Sequence, residues 1–281
     1  MEMEMEKIER GQGLGYLEYF SDFKWNFLPR SILEGHHGDV WVDQDEVPNL
    51  VVLSLPKIKL LVLGGDPAHQ ASRRYIKSLK GMAGFFPVSE GWVELLREFY
   101  KGKLWELERY AYLSEALDPI HLRRLSTGIK GGYSLARLDL ALTEKLVSER
   151  SEFTTDHLVN FDSTSDFIER GFGWCAIQED RIVSVATTFL ICSQGIEIQI
   201  NTREEHQGKG LATVVAAKLM VESLERGLIP NWDAANKKSG GLAVKLGCVP
   251  QGTYTMYVNM GSKFLVGVAR WGMKIKKLLG K

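Results

Sequence analysis

The stretch Gln207-Gly208-Lys209-Gly210-Leu211-Ala212 follows the apolar run Ile196–Ile200 and opens a helical pattern that continues to about Arg226. A strand, a glycine-containing turn and a helix N-terminus in that order form an anion-binding device. The first helical N–H groups have no intrahelical partner and point outward. The helix dipole adds roughly 0.3–1 kcal/mol of attraction for negative charge there. Gly208 and Gly210 carry no side chain to block a diphosphate, and Lys209 adds a mobile positive charge. A plain surface turn is the competing reading, because glycine pairs are common. The turn lacks the Gly-Lys-Ser/Thr of a P-loop and the three spaced glycines of a dinucleotide fold.

Working outward, the long helix keeps Leu211, Val214, Val215, Leu219, Val221 and Leu224 at three- and four-residue intervals. That apolar face must press on a sheet, and Gly227 closes the helix. Upstream, Tyr133–Leu138 reads as a strand and Ala141–Arg150 as a helix, while Ser163 or Ser165 caps a helix over Asp166–Gly171. Gly173–Gln178 and Ile182–Leu190 are strands joined by a tight turn. Downstream comes a strand, Ile229–Ala234, and then a helix over Ser239–Leu246 preceded by Asn236 and closed by Gly247. Cys248–Asn259 is a strand pair or one bent strand, carrying Tyr254 and Tyr257.

The first half also alternates strands and helices, which argues for an α/β fold. An aromatic cluster from Tyr16 to Phe27, with Trp25 in it, reads as a helix broken at Pro29. Val51–Leu55, Ile58–Leu63 and Leu104–Leu113 read as strands. Ala68–Leu79 and the stretch around Trp92 and Phe99 read as helices, capped near Asp66 and at Ser89. The adjacent His36 and His37 suit a turn better than a metal site, so no metal is expected. Composition loosens at Ile129-Lys130-Gly131-Gly132, which divides the chain into an N-terminal lobe, 1–130, and a C-terminal domain, 131–281.

The 281 residues suffice for one large or two ordinary domains, and 44% hydrophobic with 25% charged content is that of a soluble globular protein. Thirty-five basic residues balance thirty-five acidic ones, so no global field recruits nucleic acid or an anionic membrane. A basic tail with Lys263, Arg270, Lys274 and Lys281 is read as a solvated terminal helix rather than a nucleic-acid or membrane contact. No run reaches the roughly 20 apolar residues needed to span a bilayer. Three scattered cysteines suit a reducing cytoplasm.

Gln207, Gly210 and Ala212 match the Gln/Arg-x-x-Gly-x-Gly/Ala signature of the GNAT N-acetyltransferases, and the element order of the C-terminal half resembles that fold. A narrower likeness, to the GNAT subgroup that includes zwittermicin A resistance proteins, extends over nearly the whole chain. It is carried by Gly65-Asp66, Arg109-Tyr110, Gly132-Tyr133, Gly171-Phe172-Gly173, Glu197-Ile198, Gly210-Leu211-Ala212-Thr213 and Pro230-Asn231-Trp232-Asp233-Ala234, among other stretches. The resemblance implies a GNAT fold with a mixed sheet and a degenerate GNAT-like N-terminal lobe. It also implies an acetyl-CoA co-substrate and an amine acceptor, by default on a small metabolite, with a peptide amine behind it. The antibiotic-resistance link belongs to a relative and does not carry over as a substrate.

By that resemblance the diphosphate of CoA lies on Gln207, Gly208, Lys209, Gly210, Leu211, Ala212 and Thr213. Ile200, Asn201 and Thr202 hold pantetheine and polarise the thioester, and Asn236 and Ser239 approach CoA from the last helix. Glu197 is the implied base, with a solvated or ion-paired glutamate as the alternative. His206, next to the signature, reads as an exposed residue near the CoA phosphates. The family's tyrosine acid falls at Ala243 here, leaving Tyr254, Tyr257 or no side-chain acid. That gap keeps a second reading open, a non-catalytic CoA sensor.

Overall fold

The computed structural model describes residues 4–23, 26–44, 46–129, 131–149, 151, 153–154 and 156–266. Trp25 of the aromatic cluster, Lys130 at the expected boundary, Arg150 at an expected helix end and the tail from Arg270 to Lys281 lie outside them. In chain order come β1 (Glu6–Ile8), α1 (Leu28–Leu33), β2 (Asp39–Val42), β3 (Leu50–Leu55), β4 (Leu60–Gly65) and α2 (Gln70–Ser78). Next are β5 (Ala83–Pro87), α3 (Glu90–Phe99), β6 (Leu104–Leu113), α4 (Pro119–Ser126), β7 (Ser134–Arg137), α5 (Leu140–Ser148) and α6 (Thr164–Arg170). Then follow β8 (Gly173–Gln178), β9 (Arg181–Ile191), β10 (Gly195–Thr202), α7 (Leu211–Glu225), β11 (Ile229–Ala234), α8 (Lys237–Leu246) and β12 (Val249–Asn259). Thus Cys248–Asn259 is essentially one strand, not a pair.

The chain forms two compact units. The first holds Met1–Lys24, Gly38–Glu108 and Thr255–Lys281, and the second holds Trp25–His37 and Arg109–Tyr254. This division does not follow a single cut at residue 130, because β6 and β12 each begin in one unit and end in the other.

In the first unit β1 to β4 pair antiparallel in sequence and β4 runs parallel to β5. The end of β12 pairs antiparallel with β5, Tyr257 opposite Phe85. Every residue of β3 is buried, as its unbroken apolar run suggests. Ile76 of α2 with Trp92 and Leu96 of α3 pack against Leu50, Val52, Leu63 and Phe85. Each such buried side chain contributes roughly 1.5–3 kcal/mol by removal from water. His69 rather than Asp66 caps α2, accepting from Ala71 N–H at 3.3 Å; Asp66 instead closes the preceding turn through Ala68 N–H at 2.8 Å.

In the second unit β7 to β10 are antiparallel, β10 runs parallel to β11, and β11 pairs antiparallel with Tyr110–Tyr112 of β6. The sheet is therefore mixed. Leu211, Val215 and Leu219 of α7 press on Ala176, Ala186 and Ile196. Its other flank, Ala216, Ala217 and Met220, packs on Leu122 of α4 and Leu246 of α8. Two covered flanks explain why its apolar residues are not confined to one stripe. Helix α4 is absent from the sequence reading, although Asp118-Pro119 supplies its signal: an Asp cap accepting from Ile120 N–H at 2.8 Å, then proline in the first turn. Pro29 likewise begins α1 instead of breaking a helix, since a first-turn proline lacks only an N–H that has no partner there. On the opposite sheet face Leu146 of α5 and Phe167 of α6 pack on Cys175 and Val185.

The succession β4–α2–β5–α3–β6 repeats as β10–α7–β11–α8–β12, each with a parallel strand pair around its first helix. Among the described residues no helix is long and apolar enough to cross a membrane.

Candidate active site

Strands β10 and β11 share three register pairs, ending at Glu197 opposite Asn231. Beyond them β11 follows β6, Trp232 opposite Tyr112 and Ala234 opposite Tyr110, whereas among the described residues β10 runs on beside β9 alone. A cleft of about 530 Å³ lies at the end of β10. Ile200, Asn201 and Thr202 form one part of its wall, and Gln207, Gly208 and Gly210 form the turn. Leu211, Ala212 and Thr213 add the first turn of α7, and Asn236 and Ser239 the start of α8.

Gly208 and Gly210 have φ of +76° and +82°, in the left-handed region that favours glycine. A Cβ at either position would meet nothing within 4 Å, so backbone conformation, not crowding, selects the residue. Gly210 occupies the N-cap of α7 and offers no capping side chain. The first N–H groups of α7 thus open onto the cleft, the arrangement that binds anions.

Of the residues expected to hold CoA, Lys209 stands apart from this wall. Its ammonium donates to the Tyr133 hydroxyl at 3.2 Å. Cations that the sequence did not single out line the cleft instead: Lys238 and Lys245 of α8. Lys238 donates to Gln207 Oε1 at 2.5 Å, and Gln207 Nε2 donates to the Thr202 carbonyl at 3.1 Å. His206 lines the cleft half-buried, against the Tyr133 hydroxyl at 2.9 Å. Asn236 caps α8 by accepting from Ser239 N–H at 3.0 Å, and Ser239 Oγ accepts from Trp232 Nε1 at 3.1 Å.

Alternation along β10 sends Ile196, Ile198 and Ile200 toward α7 and Glu197, Gln199 and Asn201 to the other face. Glu197 is buried there. It accepts from Phe27 N–H at 2.7 Å and from Asn231 Nδ2 at 3.0 and 3.1 Å. Burial pushes its carboxyl up to about 8, aided by the charge of Asp233 and opposed by the Phe27 N–H, the Asn231 amide and Arg109. Asn201 Nδ2 donates to the Phe153 carbonyl at 3.0 Å. Between them the Gln199 side chain is half-buried and makes no hydrogen bond among the described residues.

Beyond Asn231 lies a second polar group that sequence reasoning did not assemble. Arg109 clasps Asp233 at 2.8 and 3.2 Å, and the Tyr254 hydroxyl donates to the same carboxylate at 2.8 Å. Asn26 Nδ2 donates to that hydroxyl at 3.3 Å. Burial and the Asp233 charge hold the Tyr254 phenol well above its ordinary range. Tyr257 belongs to the first unit, in whose core it is buried with the Arg97 guanidinium 5.7 Å from its ring. Ala243 is fully buried between α8 and its neighbours. His37 is an internal pin: Nδ1 lies 2.9 Å from the Asn160 carbonyl and Nε2 accepts from Ile191 N–H at 3.2 Å, so the neutral ring carries its proton on Nδ1.

A family model for GNAT acetyltransferases matches residues 18–257. An uncharacterised N-acetyltransferase of Bacillus subtilis (strain 168), YdfB, is 26% identical over 252 residues, 86% of this chain and 92% of the relative. The crystal structure of a GCN5-related N-acetyltransferase-like protein from Streptococcus suis 89/1591 matches with a TM-score of 0.76 and 28% identity, over 88% of this chain and 97% of its own. A tandem GNAT protein from the clavulanic acid biosynthesis pathway shares the fold at a TM-score of 0.58 and 11% identity, over 91% and 97% of the two chains. With its α/β architecture and mixed sheet, the chain belongs to the GNAT acetyltransferase family.

Proposed function

We propose that this acyltransferase moves an acetyl group from acetyl-CoA to an amine of a small molecule, using the cleft of the second unit. The observation that carries this reading is the parting of β10 from β11 after Glu197 and Asn231, with the glycine turn and the α7 N-terminus at the far end. The CoA diphosphate rests on the N–H groups around Gly208 to Thr213. Pantetheine follows the edge of Ile200–Thr202, whose backbone N–H groups polarise the thioester carbonyl.

The amine approaches on the face of Glu197, Gln199 and Asn201, where the uncommitted Gln199 amide is available to a polar acceptor. Glu197, ionising near pH 8, takes the ammonium proton, and its shifted carboxyl suits that task. The neutral amine nitrogen then bonds to the carbonyl carbon and the oxyanion forms; collapse breaks the C–S bond, and the nitrogen sheds its surplus proton to water to leave the amide. Tyr254 is a poor acid in its buried pairing with Asp233, so the sulfur leaves as thiolate, whose ordinary thiol pKa is about 8.5. Asn236 and Ser239 lie beside CoA while keeping their helix-capping and indole contacts.

We read the first unit as a degenerate GNAT-like lobe. Its β4–α2 connection, Asp66-Pro67-Ala68-His69, places a carboxylate where the second unit has glycines, and so repels a diphosphate. The cytoplasm suits three buried, unpaired cysteines. Two measurements test the assignment: calorimetry with acetyl-CoA, and thiol release across a panel of small amines and peptides. Absence of acetyl-CoA binding by folded protein overturns the donor assignment. Binding with acetylation of peptides alone overturns the small-molecule acceptor.

A further inference from the structure

Lys209 lies between two glycines of positive φ, in the middle of the turn that faces the cleft. Yet its ammonium reaches the Tyr133 hydroxyl at 3.2 Å and lies 5.9 Å from the centre of that ring. Its neighbours Gln207, Gly208, Gly210 and Leu211 all line the cleft, and Lys209 does not. The Tyr133 oxygen accepts from the lysine, and the same hydroxyl lies 2.9 Å from His206 Nδ1. The two rings meet edge to face at 5.7 Å, which keeps the phenol in place.

Resting on the acetyl-CoA reading of the cleft, we infer that Tyr133 is a competing partner of Lys209, and that diphosphate binding draws the ammonium off the phenol and onto phosphate. Tyr133 thereby lowers the affinity for acetyl-CoA and favours release of the CoA product, which carries the same diphosphate. It is a positioning residue, acting through Lys209. A charge-assisted contact to phosphate is stronger than one to a neutral phenol, so the exchange runs forward when ligand is present.

The test is a double-mutant cycle by calorimetry with acetyl-CoA and with CoA. Tyr133→Phe keeps the ring and removes the acceptor, so it should bind both about two- to tenfold more tightly, the range of one net hydrogen bond. Lys209→Met should weaken binding, and adding Tyr133→Phe to Lys209→Met should then change nothing. Equal or weaker binding by Tyr133→Phe overturns the inference, as does an equal gain in the Lys209→Met background. Thermal melts of each variant separate these outcomes from misfolding, with Tyr133→Trp as a second acceptor-free variant should Tyr133→Phe be unstable. Failure of the wild-type protein to bind either probe overturns the cleft assignment itself, a distinct result.

Discussion

The Asn231 side-chain amide donates to both oxygens of Glu197, at 3.0 and 3.1 Å, on the last rung shared by β10 and β11. With the Phe27 N–H at 2.7 Å it fixes the carboxylate where the two strands part. Three contacts to a buried acid define its orientation, while burial governs its ionisation.

If Glu197 removes the acceptor proton, Glu197→Gln should lower kcat by about 10²- to 10⁴-fold. Acetyl-CoA affinity should be unchanged, because Glu197 is not part of the cleft wall. The wild-type rate should climb through about pH 8 and the residual rate of the variant should lose that step. Steady-state rates from pH 6 to about 9.5, beside calorimetry, check both points; an unchanged profile in the variant removes Glu197 from the mechanism.

Stability should vary with pH in two opposite directions. Burial lowers His37 to about 4 and His157 to about 3 from 6.5, so below pH 6.5 the unfolded chain binds more protons and acid destabilises the fold. Glu197, raised to about 8 from 4.5, binds its proton more tightly when folded, so its contribution is lost as pH rises toward 8. Two histidines outweigh one carboxyl below pH 6.5 and only the carboxyl acts above it. Together these groups place maximal stability near pH 6.5. Melting curves across pH 4 to about 9 should show that maximum, and Glu197→Gln should flatten its alkaline side.

Gly210→Asp should raise the Kd for acetyl-CoA at least about 100-fold by setting an anion against the diphosphate at a helix N-terminus. Gly210→Ala separates charge from strain, because both side chains meet a φ of +82° and alanine adds no charge. The alanine variant should bind much more tightly than the aspartate variant. Calorimetry on the two proteins decides it.

Placing the family's tyrosine at residue 243 should damage the fold rather than supply an acid. Ala243 is fully buried against a core that includes Leu246 and Cys248, and a phenol there overpacks it. Ala243→Tyr should cost about 1–3 kcal/mol or more. A melting temperature equal to wild type together with higher activity would reverse this reading.

Local chemistry made much of the fold legible from the chain. Positive-φ glycines, the Asn236 and Ser163 caps, and alternating strands act over a few residues, so the turn, α6, α7 and α8 are readable in order. The walls of the cleft are legible for the same reason, because one strand, one turn and two helix starts supply nearly all of them. Helix α4 is missed although its signal is local, whereas the division into two compact units rests on contacts that are not local. Tyr110–Tyr112 of β6 and Tyr257–Asn259 of β12 join different units through pairing partners far away in sequence, and Phe27 reaches its unit through Glu197.

What the sequence by itself determined is thus the glycine turn ahead of α7 and the family to which it points. Tertiary structure alone decided the state of Glu197, since burial and contacts from Phe27, 170 positions away, and Asn231, 34 away, set its ionisation. It also decided the direction of Lys209, which a phenol 76 positions away holds off the cleft. The physical reason is range. Backbone conformation is chosen by neighbours in the chain, whereas desolvation and side-chain partners are chosen by whatever the fold brings into contact.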